Sequence, residues 1–197
     1  AGDDGLCLAC SLNRTIPDQT LPENQVLWHR IEVAKRRLVS QLLGLGLPVR
    51  SLAHTPWQDA QRGMAFDFLL NQPGQAPILT GHAHGIITLN AHEADDAIRE
   101  RHRAALHEPY RTLLGHLRHE VAHYYWDRLV AGTSWLEPFR QLFGDERTDY
   151  AQALQRHYAV GAPPDWATRH VSAYASSHPW EDWAETWAQY LHMRDGS

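Results

Sequence analysis

The stretch TLLGHLRHEVAHYYWDRLV, residues 112–130, decides how the rest of this chain is read. Leu117, Val121 and Tyr124 or Tyr125 recur at helical spacing, which predicts a helix with one apolar side. Pro109 fits the first turn of that helix. Inside it lies HEVAH, residues 119–123, with His119 and His123 four positions apart. Residues i and i+4 project side by side from a helix, so the two imidazoles can share one Zn2+. Glu120 points beside such an ion rather than at it, where a general base belongs. The plain alternative is two histidines on the edge of a packed helix, with no metal. Asp127 extends the row by a further turn. Three successive turns of a straight helix do not wrap one tetrahedral ion, so Asp127 is read as a salt-bridge or supporting residue.

A catalytic zinc takes three protein ligands and keeps one position open. In HExxH enzymes with a glutamate third ligand, that glutamate sits on a later helix. An acid four residues after it accepts a hydrogen bond from the first histidine. HPWEDWAETW, residues 178–187, offers Glu181 and Glu185 in that order. Both lie on one helix face, and Trp180, Trp183, Ala184 and Trp187 form the neighbouring apolar stripe. Asp182 lies about 100° round the helix from Glu181 and is expected to face solvent or to serve as an N-terminal helix charge. The helix is expected to start near Pro179, with Ser177 as its cap, and to run through Tyr190. The alternative for the acidic pair is a solvated face; its joint occurrence with HEVAH argues against that.

The remaining segments fill in an α+β domain. Residues 1–20 are polar and irregular. Pro22 opens a helix with Leu27, Ile31, Ala34, Leu38 and Leu42 at helical spacing, ended by Gly44, Gly46 and Pro48. LPVRSLA, MAFDFLL, APILT and GIITLN read as strands of a small sheet, with a turn or bulge at Gly81–Gly85 around His82 and His84. AHEADDAIRERHRAALHEPY is charged, and reads as helix or a long surface excursion. A helical pair is expected over residues 136–160, around Gly144, stopping at GAPPDW.

The totals fit a globular domain of 197 residues with 43% apolar residues and eight Trp. A net charge of −5 gives no general attraction to nucleic acid or anionic lipid. No apolar run is long enough to span a bilayer, and the N-terminus lacks an apolar signal core, so the expectation is a cytoplasmic protein. Cys7 and Cys10 form a C-x2-C, half of a zinc ribbon. Three readings stay open for them: a truncated ribbon, an incidental or redox pair, or a site completed by another chain.

HVSAYASSHPWEDWAETWAQY resembles the C-terminal motif of anthrax lethal-factor-like metallopeptidases, in which a V-S-x-Y segment precedes the acidic helix. The whole set of blocks is closer still to a bacterial family of zinc-binding metallopeptidases with an N-terminal zinc ribbon. They are CLACSLNRTIPD, TGHAHGIITLN, EPYRTLLGHLRHEVAHYYWDRL, LFGDERTDY and VSAYASSHPWEDWAETWAQYLH. The resemblance covers almost the whole chain. It implies a gluzincin-type, zincin-like fold: a small mixed sheet, an active-site helix and a helical C-terminal part. It also implies His119, His123 and Glu181 as ligands of one catalytic Zn2+, Glu120 as base and Glu185 as the supporting partner of His119. Tyr174, seven residues before Glu181, becomes the candidate oxyanion donor, with a packed aromatic as the alternative. Residues 1–20 are then the remnant of a truncated ribbon, with Cys7 and Cys10 as a vestigial pair, and residues 21–197 the catalytic domain. The family's first ribbon knuckle is missing here.

The expected function is a zinc metallopeptidase that hydrolyses peptide bonds by Glu-assisted attack of zinc-bound water on a peptide or protein substrate. The cleft is expected between the sheet and the C-terminal helices, with GIITLN as an edge for an extended peptide. Two rivals are a zinc hydrolase of a non-peptide amide and a non-catalytic zinc-stabilised binding module. Glu120 argues against the second, because a structural site gains nothing from a base beside the metal.

Overall fold

A computed structural model of the chain describes residues 5–55, 63–96, 98 and 112–195. The architecture is mixed α+β, and the chain divides into two compact units, Ala1–Leu117 and Arg118–Ser197. Among the described residues, no helix is long and apolar enough to cross a membrane.

The first unit contains a four-stranded sheet. Its strands are β1 (Asn13–Thr15), β2 (Ala65–Leu69), β3 (Gly81–Ala83) and β4 (Ile86–Asn90), in the order β1-β2-β4-β3. β2 runs parallel to both β1 and β4, whereas β3 is antiparallel to β4. In β2, Ala65 to Phe68 are all buried, as suits a strand covered on both faces. β4 alternates instead, with Ile87 and Leu89 buried between half-buried neighbours. The β3–β4 hairpin turns on His84 and Gly85, at φ 51° and 81°. Two positive φ values in a two-residue loop make the type I′ turn that matches strand twist. The His82 Nε2 accepts a hydrogen bond from the Gly85 N–H at 3.0 Å. Burial, helped by His84, lowers the His82 pKa to about 4, so this nitrogen stays free to accept.

Helix α2 (Pro22–Gly44) follows the short helix α1 (Leu8–Ser11) and packs on the sheet through Trp28, whose ring lies 5.5 Å from that of Phe68. Its buried stripe is Ile31, Leu38, Val39 and Leu42. Pro22 sits at its first turn. At its end Gly46 takes φ 71°, and the Leu47 N–H reaches the Leu42 carbonyl at 3.0 Å, closing a Schellman-type cap.

Three expectations for this unit are corrected. Residues 1–20 are not simply irregular: α1 and β1 occupy 8–15, Leu12 is fully buried, and its carbonyl accepts from the Phe66 N–H at 2.8 Å. LPVRSLA contributes only a single bridge, Ser51 to Met64, before a 3-10 turn at Leu52–His54. APILT is not a strand either. The Asn71 side chain takes the Ile78 N–H at 2.8 Å, Leu79 is exposed, and pairing begins only at Gly81. The segment AHEADDAIRERHRAALHEPY is described only for residues 91–96 and 98, a 3-10 turn at Ala91–Ala94 included; Pro109 lies outside the described residues.

An ion pair ties β1 to β2. The Arg14 Nε–H donates to Asp67 Oδ1 at 2.9 Å, and a second guanidinium nitrogen contacts Oδ2. The hydrogen bond from Arg14 outweighs burial and holds the Asp67 pKa below its ordinary value. A depressed folded pKa gives stability above the unfolded pKa of about 3.9, lost as pH falls through the lower folded value. Arg14 is half-exposed, which screens the pair, so Asp67→Asn is expected to cost about 1–2 kcal/mol at neutral pH. Thermal melts check this: the gap between variant and wild type should shrink as pH falls below the unfolded pKa of about 3.9. Equal melting at neutral pH would contradict it.

The second unit is helical. It holds α3 from Arg118 onward (the helix spans Leu113–Leu129), α4 (Leu136–Phe143), α5 (Tyr150–Val160) and α6 (Pro179–Asp195). The helical pair expected around Gly144 is α4 and α5, with Gly144 at φ 102° closing α4. Trp126, Val130 and Phe139 form the core, with Phe143, Trp180 and Trp183 packed on it. The Trp183 indole N–H donates to the Ala122 carbonyl at 2.9 Å, and the Trp187 ring stacks on Tyr125 at 5.3 Å. The tryptophan stripe therefore anchors α6 to the helix that carries HEVAH. Arg118 closes the far end on Asp195 at 2.6 Å, so α6 continues past Tyr190.

The cap of α6 is His178 rather than Ser177. Its carbonyl accepts the Glu181 N–H, its Nδ1 accepts the Trp180 N–H at 3.1 Å, and its Nε2 donates to the Thr148 carbonyl at 2.9 Å. A ring that satisfies two backbone groups displaces the hydroxyl one residue earlier.

Candidate metal centre

His119 and His123 leave α3 one turn apart, with ring centroids 5.0 Å apart and Nε2 atoms 3.3 Å apart. The first turn of α6 brings Glu181 to them, 1% exposed. Its Oε2 stands 3.0 Å from His119 Nε2, and its Oε1 stands 3.6 Å from His123 Nε2. These three side chains form a group able to hold a metal ion, and no second such group occurs among the described residues.

The hydrogen bonds around the group set its chemistry. Glu185, one turn further along α6, takes the His119 Nδ1–H at 2.7 Å. That bond fixes the tautomer and turns the Nε2 lone pair inward. Ser172 donates to the other Glu185 oxygen at 2.7 Å and itself accepts from the Ala175 N–H. Glu181 Oε2 is buried and stands against His119 Nε2, while Oε1 faces His123 Nε2. A buried carboxylate facing two imidazole nitrogens suits a positive centre between them. Two nitrogens bound at 2.0–2.1 Å to a tetrahedral ion stand about 3.3 Å apart, the spacing seen here, so the residues fit zinc.

Charges in the cluster respond to this crowding. Burial opposes a charge on His119, but hydrogen bonds to Glu181 and Glu185, with the charges of Glu181 and Glu120, raise its pKa well above the ordinary value. Burial likewise pushes Glu181 up, yet the bond and charge of His119, then His123 and Tyr150, bring it down to about 2.

Glu120 is half-buried, and its charge is felt at both His119 and Tyr150. Tyr174 opens a 3-10 turn, its ring 6.1 Å from that of His119 and 5.7 Å from that of His157. Burial, then the charge of Glu181, raises its pKa. Asp127 is exposed and stands outside the cluster. Cys7 and Cys10 are free thiols, also outside it, and Arg36 donates to the Cys10 sulfur at 3.1 Å.

Asp182 lies in the first turn of α6, one of its two expected roles, but it does not face solvent. It is buried and pairs with His170 Nδ1 at 2.9 Å, because the segment before Ser172 covers the helix face assigned to solvent. Burial, only partly offset by His170, raises its pKa. Two contacts around the centre also have no counterpart in the sequence reading. Ser172 supports Glu185, and the Tyr150 hydroxyl donates to Glu181 Oε1 at 2.7 Å. Both residues lie in quoted blocks, VSAY and GDERTDY, but nothing in their spacing to HEVAH marks them.

Two histidines one helical turn apart, met by a buried glutamate from a later helix, make a three-donor group that could hold a metal ion. Residues 24–197 match the model of the family described as "Putative zinc-binding metallo-peptidase", and the chain belongs to that family. Its α+β architecture agrees with a zincin-like domain of that family. It is 47% identical over 192 residues to an uncharacterized protein of Mycobacterium bovis and, to the same extent, to uncharacterized proteins of two strains of Mycobacterium tuberculosis. Those matches cover 97% of this chain and 54% of each relative, so the chain spans about half the length of the curated relatives it matches. No solved structure matches it significantly.

Proposed function

We propose that this chain is the catalytic domain of a zinc-dependent peptidase, with His119, His123 and Glu181 holding one ion and Glu120 as general base. The observation that carries the reading is the convergence of the two Nε2 atoms, 3.3 Å apart, on the buried carboxylate of Glu181, at 3.0 Å from His119 and 3.6 Å from His123. Zinc held there would supply Lewis acidity toward a scissile carbonyl and make a nearby water more acidic.

The chain's own residues do the rest. Glu120 takes a proton from the attacking water and delivers it to the leaving amine. Tyr174, protonated and beside the cluster, donates to the carbonyl oxygen as it gains charge. Glu185, braced by Ser172, keeps His119 in the tautomer a metal needs. The substrate is a peptide or protein, in keeping with the family's description.

The test is cleavage of a mixed peptide library by the zinc-loaded protein, read by mass spectrometry of new chain ends. Cleavage that disappears with a chelator and returns with zinc supports the reading. A zinc-loaded protein that cuts none of the library, yet hydrolyses small non-peptide amides, would move it to another class of hydrolase.

A further inference from the structure

We propose that Tyr150 is a positioning residue for this centre: its hydroxyl engages Oε1 of Glu181 and so favours Oε2 as the oxygen that meets the ion. The inference rests on the zinc-peptidase reading above and assigns a residue which that reading does not use. Tyr150 donates to Oε1 at 2.7 Å, an oxygen that stands 3.6 Å from His123 Nε2, while Oε2 lies closer in, 3.0 Å from His119 Nε2. A carboxylate whose two oxygens are both free can swing to bind an ion through both. One whose outer oxygen already accepts a hydrogen bond is held to a single-oxygen mode, which leaves a coordination position open for substrate.

The hydroxyl is placed by a built clamp rather than by a loose surface contact. Asp149 caps α5, its side chain accepting the Gln152 N–H at 2.9 Å, which sets Tyr150 as the first helical residue. The Tyr150 ring lies edge-on to His178 at 5.1 Å and against Trp180 at 5.8 Å. His178 bonds the Thr148 carbonyl on one side and caps the helix carrying Glu181 on the other. One buried imidazole therefore fixes both ends of the Tyr150–Glu181 bond.

Tyr150 is 36% exposed, so Tyr150→Phe removes a hydroxyl at the rim without opening the core. Zinc affinity is measured by competition with a chromophoric chelator, and the visible spectrum is recorded after Co2+ replaces Zn2+. Tyr150→Phe should weaken zinc binding at least about tenfold, the scale of lost outer-shell support. Its Co2+ bands should lose intensity as the freed carboxylate raises the coordination number above four, a signature that a distant loosening of the fold does not give. Tyr174→Phe should leave both readouts at their wild-type values. Wild-type zinc affinity together with a wild-type Co2+ spectrum in Tyr150→Phe overturns the proposal and leaves the zinc reading standing. A wild-type protein that binds neither ion overturns both.

Discussion

Glu120→Gln should lower kcat/KM for peptide hydrolysis by roughly 10²–10⁴-fold, the usual contribution of a positioned general base. Zinc content should stay at the wild-type level, because Glu120 stands outside the three-donor group. Gln keeps the shape of the side chain but cannot carry a proton from water to an amine. Glu120 follows His119 on α3, and its charge reaches the histidine and Tyr150. Steady-state kinetics with metal analysis of the same sample separate the two roles. Retained activity in a fully loaded Glu120→Gln protein would remove Glu120 from the mechanism.

The second large effect distinguishes the acids of α6. Glu181→Ala deletes a donor and should abolish tight zinc binding, with a loss beyond the roughly 10–100-fold that removal of an outer partner costs. Glu185→Ala should fall within that smaller range, because it removes only the acceptor of the His119 Nδ1–H. Asp182→Asn should leave zinc affinity unchanged, since its partner is His170. Zinc titrations of the three variants rank them. Full occupancy in Glu181→Ala with loss in Glu185→Ala would reverse the ligand assignment.

The part of the centre that was legible in sequence is the part carried by helical periodicity. HEVAH and Glu181–Glu185 each set two side chains one turn apart, and chain order alone predicts that they share a face. The tryptophan stripe was readable for the same reason. Contacts made across the fold leave no such trace. Tyr150 reaches Glu181 over 31 positions through a hydroxyl, and its place depends on the His178 clamp. For Asp182 the angle on the helix allowed a solvent-facing side chain or an N-terminal helix charge; the first fails because that argument is blind to the segment that folds over that face. Lys35 shows the limit in the first unit. A lysine inside an apolar stripe reads as a break, yet it is fully buried, its amine bonded to Glu32 and Asn13 and lying 5.5 Å from the Trp28 ring centroid. β1 has only three residues, too few for alternation to declare a strand.

The most direct test of the central claim is a crystal structure of the zinc-loaded protein with anomalous data at the zinc edge. The account predicts one peak bounded by His119 Nε2, His123 Nε2 and a Glu181 oxygen, each at about 2.0–2.2 Å, with Glu120 beside the open position. A peak elsewhere, or a loaded site that leaves Glu181 unligated, would contradict it.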